Sequence, residues 1–354
     1  GGVETFTRQI AEGASNDKSF EVSVLCCQSK GETKKETINN VPVVRAGSWG
    51  IVSSMPISFS FFYYFKKMIK NVDLIDLQHP FPLAFLAVYF FRPQAKIIVH
   101  YHSDIVRQKI GAFFLKPVIN YVLKRADSII VSNPNMILSS EILSEFKEKC
   151  KVIHFGVDPQ EIETQKDNIL LEEIKKKYGK FILFVGRLNY YKGISYLLAA
   201  MKSIDCNLVI VGQGREKDNL LKEVVDLGIE KKVFFVDNLS RKELINYHIA
   251  SEFFVLPSIY KSETFGMVLL DAMACGKPVI TTDLGTGTSY VNIDGTTGFV
   301  VEPRNEETLK GSINKLLSNK DLLFNFGENG RKRIISEFNL GKIILDNLDI
   351  FKHI

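Results

Sequence analysis

At 354 residues, 45% hydrophobic and 24% charged, the chain has the composition of a globular protein and the length for two domains, each with its own core. A net charge of +5 permits nucleotides or an acidic membrane surface as partners but is too mild to imply nucleic acid, for which no recognisable module appears. No apolar run is long enough to span a bilayer, and the five cysteines, scattered and without CxxC spacing, suggest neither a disulfide framework nor a zinc site.

Short apolar runs rich in Val, Ile and Phe alternate with amphipathic segments nearly from end to end, which predicts an α/β protein with parallel sheets wrapped by helices. The opening Gly1-Gly2-Val3-Glu4 leads at once into a helical pattern through Phe6, Ile10 and Ala11, as a glycine turn does after a strand. The expectation is therefore that the first strand of the N-terminal domain is missing from the sequence. Strands are predicted at Glu21–Cys27, Val41–Ala46, Leu74–Gln78, Ile97–Tyr101, Ser128–Ser132 and Val152–Phe155. Between them, the aromatic run Phe59–Phe65 is followed by Lys66, Lys67 and Lys70, and a second basic and aromatic helix runs from Gly111 to Arg125. Each could pack on the sheet or rest on an anionic bilayer, where a lysine adds about 1 kcal/mol. His100-Tyr-His102-Ser-Asp104 falls at the carboxyl end of a predicted strand, so His102 could hydrogen-bond a sugar hydroxyl or donate toward a phosphate-bearing leaving group. His79 has a similar place with fewer polar companions.

The Lys-Glu-rich segment from Pro159 to Lys180 is the expected boundary, giving domains over 1–160 and 161–336 and a terminal helical segment over 337–354. Strands are predicted at Phe181–Val185, Leu208–Val211, Val233–Val236, Phe253–Leu256, Val279–Thr282 and Phe299–Val301. Arg187 and Lys192 follow the first of these, the second cation beside a glycine that opens a helix, which suits a diphosphate that must be held and then stabilised as it leaves. Gly212-Gln-Gly214 is a tight turn that could admit a nucleobase edge. In PSIYKSETFGMVLLDAMACGKPVITTDLG, Met267, Leu270, Met273 and Ala274 recur at a period near 3.6 and Gly276 and Pro278 stop the helix. Read as an ordinary helix, this stretch would have Ser262 as its N-cap and two surface acids. Glu263 and Asp271 would then stand about 7 to 10 Å apart, with the N–H groups of Thr264, Phe265 and Gly266 open to a phosphate. Asp-x-Asp is absent and no cluster has metal-ligand spacing, so a diphosphate here would be neutralised by Arg187, Lys192 and helix N-termini rather than by a divalent ion.

Taken together, GGVE, HYHSDIVRQK, FGVD at Phe155–Asp158, FVGRLNYYKG, VGQG and SETFGMVLLDAMACGKPVITTD resemble family 4 of the glycosyltransferases, in order and spacing over essentially the whole chain. The resemblance implies the GT-B fold, two Rossmann-like doubly wound domains facing across a cleft, with a terminal helix that crosses back to the first domain. It implies a retaining, metal-independent hexosyltransferase that needs no cofactor and moves a sugar from a UDP- or GDP-linked donor to a glycan or lipid-linked acceptor. The setting implied is surface polysaccharide, lipopolysaccharide or glycolipid synthesis, in the cytoplasm and peripheral to the inner face of the plasma membrane. On the same resemblance Arg187 and Lys192 bind the donor diphosphate, and Gly2 approaches it through its N–H. Glu263 contacts the transferred sugar, Phe265, Gly266 and Met267 add main-chain contacts, Asp271 holds the ribose, and His102 lies near the acceptor. Main-chain contacts around Gly212 and Asn238 would select the base. Relatives usually carry glutamate where this chain has Asp271, one methylene shorter. A sugar-nucleotide epimerase of similar two-domain fold, or a non-catalytic nucleotide-sugar-binding subunit, are the alternatives. Isomerisation of free donor would mark the first, and tight binding without turnover the second.

Overall fold

The computed structural model describes residues 2–52, 55–104 and 109–354, the side chains of 109–114 excepted. Gly1, the Ile105–Gln108 part of the HYHSDIVRQK motif and the Gly111–Phe114 side chains of the second basic helix therefore lie outside the described residues. The chain divides into two compact units, one formed by Gly1–His154 with Lys342–Ile354 and the other by Phe155–Gly341.

In the first unit, strands β1 (Val24–Cys27), β2 (Lys34–Ile38) and β3 (Val41–Ala46) form one sheet in the order β1-β3-β2. Strands β4 (Ile51–Val52) and β5 (Met55–Pro56) make a small hairpin, and β6 (Leu74–His79), β7 (Lys96–Tyr101), β8 (Ser128–Val131) and β9 (Cys150–Val152) run parallel in sequence order. Among the described residues neither β1 nor β6 is paired on its other side. Two differences from the sequence expectation stand out. Strand β2, not anticipated, pairs antiparallel with β3 through a turn in which Asn39 and Asn40 both take positive φ (47° and 67°), the geometry a two-residue hairpin requires. Strand β9 ends earlier than expected. Helix α1 (Gly2–Ser15) buries Phe6 and Ile10. Helix α2 (Phe59–Met68) is capped by Ser58, whose Oγ accepts the Phe61 N–H at 3.1 Å, and buries Phe61 and Phe65 at i, i+4. Each fully buried Phe is worth about 1.5 to 3 kcal/mol.

The second unit holds one six-stranded parallel sheet: β10 (Phe181–Val185), β11 (Asn207–Val211), β12 (Val233–Val236), β13 (Phe254–Leu256), β14 (Val279–Thr282) and β15 (Gly298–Val301), in the order β12-β11-β10-β13-β14-β15. Phe181, Ile182, Leu183 and Phe184 of the central strand are wholly buried, as expected for a strand covered on both faces. The chain first winds away from β10 on one side and then returns to its other side, so the strand order reverses between β10 and β13. In an open sheet of this kind the ligand crevice lies outside the carboxyl ends of the strands at that reversal. Helix α3 (Arg241–Ala250) starts with a capping box between Ser240 and Glu243, and α4 (Met267–Ala274) follows the loop after β13. The last helix, α5 (Leu340–His353), belongs from Lys342 onward to the first unit, where Lys352 pairs with Asp17 at 2.6 Å and Ile344 covers Gly13.

Candidate active site

The loops that leave β10 and β11 touch through their backbones. A Cβ on Gly212, which has φ of 144°, would stand 2.0 Å from the Gly186 carbonyl oxygen, so only glycine fits. Beyond Gly186, Arg187 is exposed and its side chain makes no hydrogen bond or ion pair among the described residues. Lys192, in contrast, is only 7% exposed, and its ammonium pairs with the Glu263 carboxylate, itself 9% exposed. Ser258 Oγ donates to the same carboxylate oxygen at 3.0 Å. Thr286 Oγ1 donates to the Glu263 carbonyl at 2.8 Å and Thr282 Oγ1 to the Ser258 carbonyl, so the loop after β13 is tied down on both sides of its acid. The sequence placed Lys192 after a strand and Glu263 just before a helix, and the resemblance put both on the donor, but the direct contact between them was not foreseen. The adjacency of β10 and β13 brings them together.

Helix α4 has the bounds its periodicity predicts, but its cap does not. The N-cap is Gly266, in the left-handed region at φ 76°, and the expected Ser262 lies in the Tyr260–Glu263 turn closed by a 3.0 Å backbone bond. Ser262 was the better capping residue by type; the chain reverses in that turn, and only glycine takes the backbone angle that then starts the helix. As a result the N–H groups of Phe265, Gly266, Met267 and Val268 have no hydrogen-bond partner among the described residues. Together with the positive end of the helix they form a seat for an anion, next to the acid–lysine pair. The Phe265 ring anchors the seat, edge-on to Phe155 at 4.9 Å and to Phe338 at 6.1 Å.

One turn into α4, Asp271 faces α3. Arg241 Nη2 lies 2.8 Å from Asp271 Oδ1, and the same guanidinium forks onto Glu161, with Nε 3.1 Å from each oxygen and Nη2 2.8 Å from Oε2. Burial works against the charge on Arg241, but Asp271 and Glu161 outweigh it and hold its pKa above the ordinary value. Arg241 was not singled out by its sequence context, which reads as a charge in the first turn of an ordinary helix. Asn238 is exposed in the loop between β12 and α3.

The remaining candidates belong to the first unit. His102 follows β7 and is buried, with Nε2 donating to Gln78 Oε1 at 2.8 Å. Gln78 Nε2 in turn donates to Asp76 at 3.0 Å, and Asp76 accepts from His100 Nδ1 at 2.7 Å. His100 Nε2 donates to the Asn347 side-chain oxygen of α5 at 2.9 Å, and Phe6 lies edge-on to both imidazoles. Burial, then the neighbouring His100 and His79, keep His102 well below the ordinary histidine pKa, so it is neutral at pH 7. For His100, burial is outweighed by Asp76 and the two hydrogen bonds, and its pKa is raised. His79 is buried against Tyr101 at 4.3 Å with neither ring nitrogen hydrogen-bonded among the described residues, which is a packing role. Gly2 is exposed at the start of α1. A concavity of about 160 Å³ lined by Val88, Arg92, Ile97 and Arg125 lies toward the opposite end of β7 from His102 and contains none of these residues.

The arrangement in the second unit thus offers two cations, four free amides and two acids around one strand reversal, a donor set for a diphosphate flanked by hydroxyl-rich groups. The profile described as "Glycosyl transferases group 1" matches residues 165–333 and that described as "Glycosyltransferase Family 4" matches residues 1–161. The chain is 30% identical over 345 residues to the O-antigen chain mannosyltransferase C of Escherichia coli, covering 97% of this chain and 92% of that relative. It is 31% identical over 337 residues to the D-rhamnosyltransferase WbpZ of Pseudomonas aeruginosa, covering 94% and 87%. Its fold is similar to that of the sucrose-phosphate synthase of Thermosynechococcus elongatus (TM-score 0.81, 22% identity, 100% and 93% covered). It is also similar to that of Anabaena HepE in complex with UDP (TM-score 0.80, 18% identity, 100% and 97% covered). The chain belongs to family 4 of the glycosyltransferases and has the GT-B fold.

Proposed function

We propose that this glycosyltransferase is a retaining, metal-independent hexosyltransferase that uses a UDP- or GDP-linked sugar and acts on a hydroxyl of a glycan or lipid-linked acceptor. The observation that carries the reading is the buried Lys192–Glu263 pair beside the free amides of Phe265 to Val268, at the strand reversal of the second unit. A diphosphate entering there competes with Glu263 for the lysine. Lys192 and Arg187 then take the phosphate charge, and Glu263 turns its carboxylate to a hydroxyl of the transferred sugar. As the sugar–oxygen bond breaks, charge grows on the departing diphosphate, and each fixed donor there is worth about 3 to 4 kcal/mol in the transition state. The amides of Phe265, Gly266 and Met267 hold the phosphates, Asp271 the ribose, and Gly212 and Asn238 border the base. In the first unit, considered by itself, Gly2 is the backbone N–H we assign to the donor and the neutral His102 the hydrogen-bonding group we assign to the acceptor.

Surface polysaccharide synthesis, O-antigen or lipopolysaccharide included, is the setting we assign, in the cytoplasm at the inner face of the plasma membrane. Two relatives named for O-antigen or lipid-diphosphate chemistry support it, the Escherichia coli O-antigen enzyme and a Campylobacter jejuni N-acetylgalactosaminyltransferase whose name contains a diphospho-undecaprenol-linked saccharide. A panel of UDP-, GDP- and ADP-sugars tests the reading. The true donor should raise stability by about 2.7 kcal/mol at a hundred times its Kd and be slowly hydrolysed, with turnover unchanged in EDTA. If no nucleotide sugar stabilises the chain, the reading fails; if turnover is lost in EDTA and restored by a divalent cation, metal independence fails.

A further inference from the structure

The nucleotide end of the site contains a contact that is close but not aligned. Arg241 Nη2 is 2.8 Å from Asp271 Oδ1, yet that oxygen is buried without a hydrogen bond of acceptable direction. The cause is visible in the guanidinium's other partner. Its Nε and Nη2 edge is set by the fork onto Glu161, and in that orientation the second Nη2 proton is not aligned with Asp271 Oδ1. What remains is an ion pair that fixes where the carboxylate stands while leaving its outer oxygen, Oδ2, without a hydrogen bond among the described residues. The Asp271 side chain is 13% exposed and that of Arg241 37%, so the pair sits at the surface of the crevice and not beneath it.

Charge bookkeeping points the same way. Glu161 and Asp271 together exceed Arg241 by one negative charge, so the cluster still attracts hydrogen-bond donors such as hydroxyls. An aspartate is one methylene shorter than the glutamate expected at this position, and a short side chain on a helix reaches a ligand only if its rotamer is held. Arg241 supplies that hold from α3, across the groove between the two helices.

Resting on the donor-binding function proposed above, we propose that Arg241 is a positioning residue that holds Asp271 so that its outer oxygen accepts from a ribose hydroxyl, and that the pair thereby sets a preference for ribo- over deoxyribonucleoside diphosphates. The test is calorimetry on the full chain with UDP and GDP and with their 2′-deoxy and 3′-deoxy counterparts. The unaltered chain should favour the ribonucleotide over at least one deoxy form by about tenfold, the loss of one hydrogen bond to a carboxylate. In Arg241→Gln the preference should fall to about twofold, with donor KM raised and kcat within about threefold of the unaltered chain. Adding Asp271→Glu to that variant should bring the preference back without the arginine, an outcome that a merely structural role for Arg241 does not produce. Undiminished preference in Arg241→Gln, or no recovery in the double variant, overturns the proposal. If Arg241→Gln does not fold, Arg241→Lys, which keeps the charge and loses the fork, replaces it, and a full preference there overturns the proposal equally. Binding of neither UDP nor GDP by the unaltered chain refutes the donor-binding function itself, a result distinct from an undiminished preference.

Discussion

Replacing Lys192 does two things at once. It removes a cation meant for the diphosphate, and it leaves the Glu263 carboxylate buried with, among the described residues, only the Ser258 hydroxyl to stabilise it. A solvated lysine at this place could be replaced without cost to the fold; burial of the pair removes that option. Breaking one side of a buried ion pair costs about 3 to 5 kcal/mol, so Lys192→Ala should lose both donor turnover, by about a hundredfold or more, and stability. The double variant Lys192→Met with Glu263→Gln removes both charges and should regain most of the stability while staying inactive. Denaturant midpoints measured beside turnover separate the two effects, and a fully stable Lys192→Ala would show that the pair is not buried in solution. The residue types of the site and their places at strand ends were legible in the sequence. Their pairings were not. Lys192 and Glu263 are 71 residues apart, and nothing in either local pattern records that β10 and β13 lie side by side. Arg241 was missed for the same reason, since its partners Glu161 and Asp271 come from two other helices.

Local periodicity decided which elements could be read. Helix α4 and strands β10, β12 and β14 have the bounds their apolar spacing predicts, because their apolar residues follow one another densely. Strand β2 escaped because Lys34, Lys35, Glu36 and Thr37 are all exposed; an edge strand protected by charge does not read as a strand. Helix α2 shows both outcomes of the expectation placed on it. Phe61, Phe62 and Phe65 pack into the core of the first unit, while Phe59 and Tyr63 are 69% and 63% exposed on a face that continues to Lys66, Lys67 and Lys70. Trp49, 78% exposed, lies edge-on to Phe59 at 5.5 Å. An aromatic end beside a basic end is the order an anionic bilayer surface selects, apolar groups below the headgroups and lysines at the phosphates. Changing Lys66, Lys67 and Lys70 to Gln should therefore weaken binding to phosphatidylglycerol-rich vesicles by about a hundredfold, at about 1 kcal/mol per lysine, and salt should weaken the unaltered chain's binding likewise. Vesicle sedimentation reads this directly. Equal binding by the triple variant would remove α2 from any membrane contact.

At the scale of the whole molecule, the alternation of strands and helices was enough to read two parallel-sheet units, but not how many sheets the first unit contains, because strand pairing is a long-range property. Nor did the sequence reveal how many histidines are buried uncharged, and these set how the chain responds to acid. His79 in the first unit and His248 in the second are buried with no hydrogen bond to either ring nitrogen among the described residues, and burial lowers each from the ordinary 6.5 to about 3. His102 is lowered as well. A base whose folded pKa is depressed contributes stability that is complete above its unfolded value and is lost as the pH falls toward the folded one. From pH 6.5 downward, each unit should therefore lose about 1.4 kcal/mol per pH unit for each such histidine, before the carboxylates begin to titrate. His100 does not compensate in this window. Its pKa is raised, so its contribution is already complete below 6.5 and is lost only as the pH rises through its folded value. Denaturant unfolding at pH 6.5 and pH 4.5 should thus show a loss of several kcal/mol. His79→Phe keeps the ring against Tyr101 and Phe85 but cannot be protonated, and it should reduce the slope by one histidine's share. A slope unaltered by that replacement would mean that His79 reaches water in the native state and titrates as freely there as in the unfolded chain.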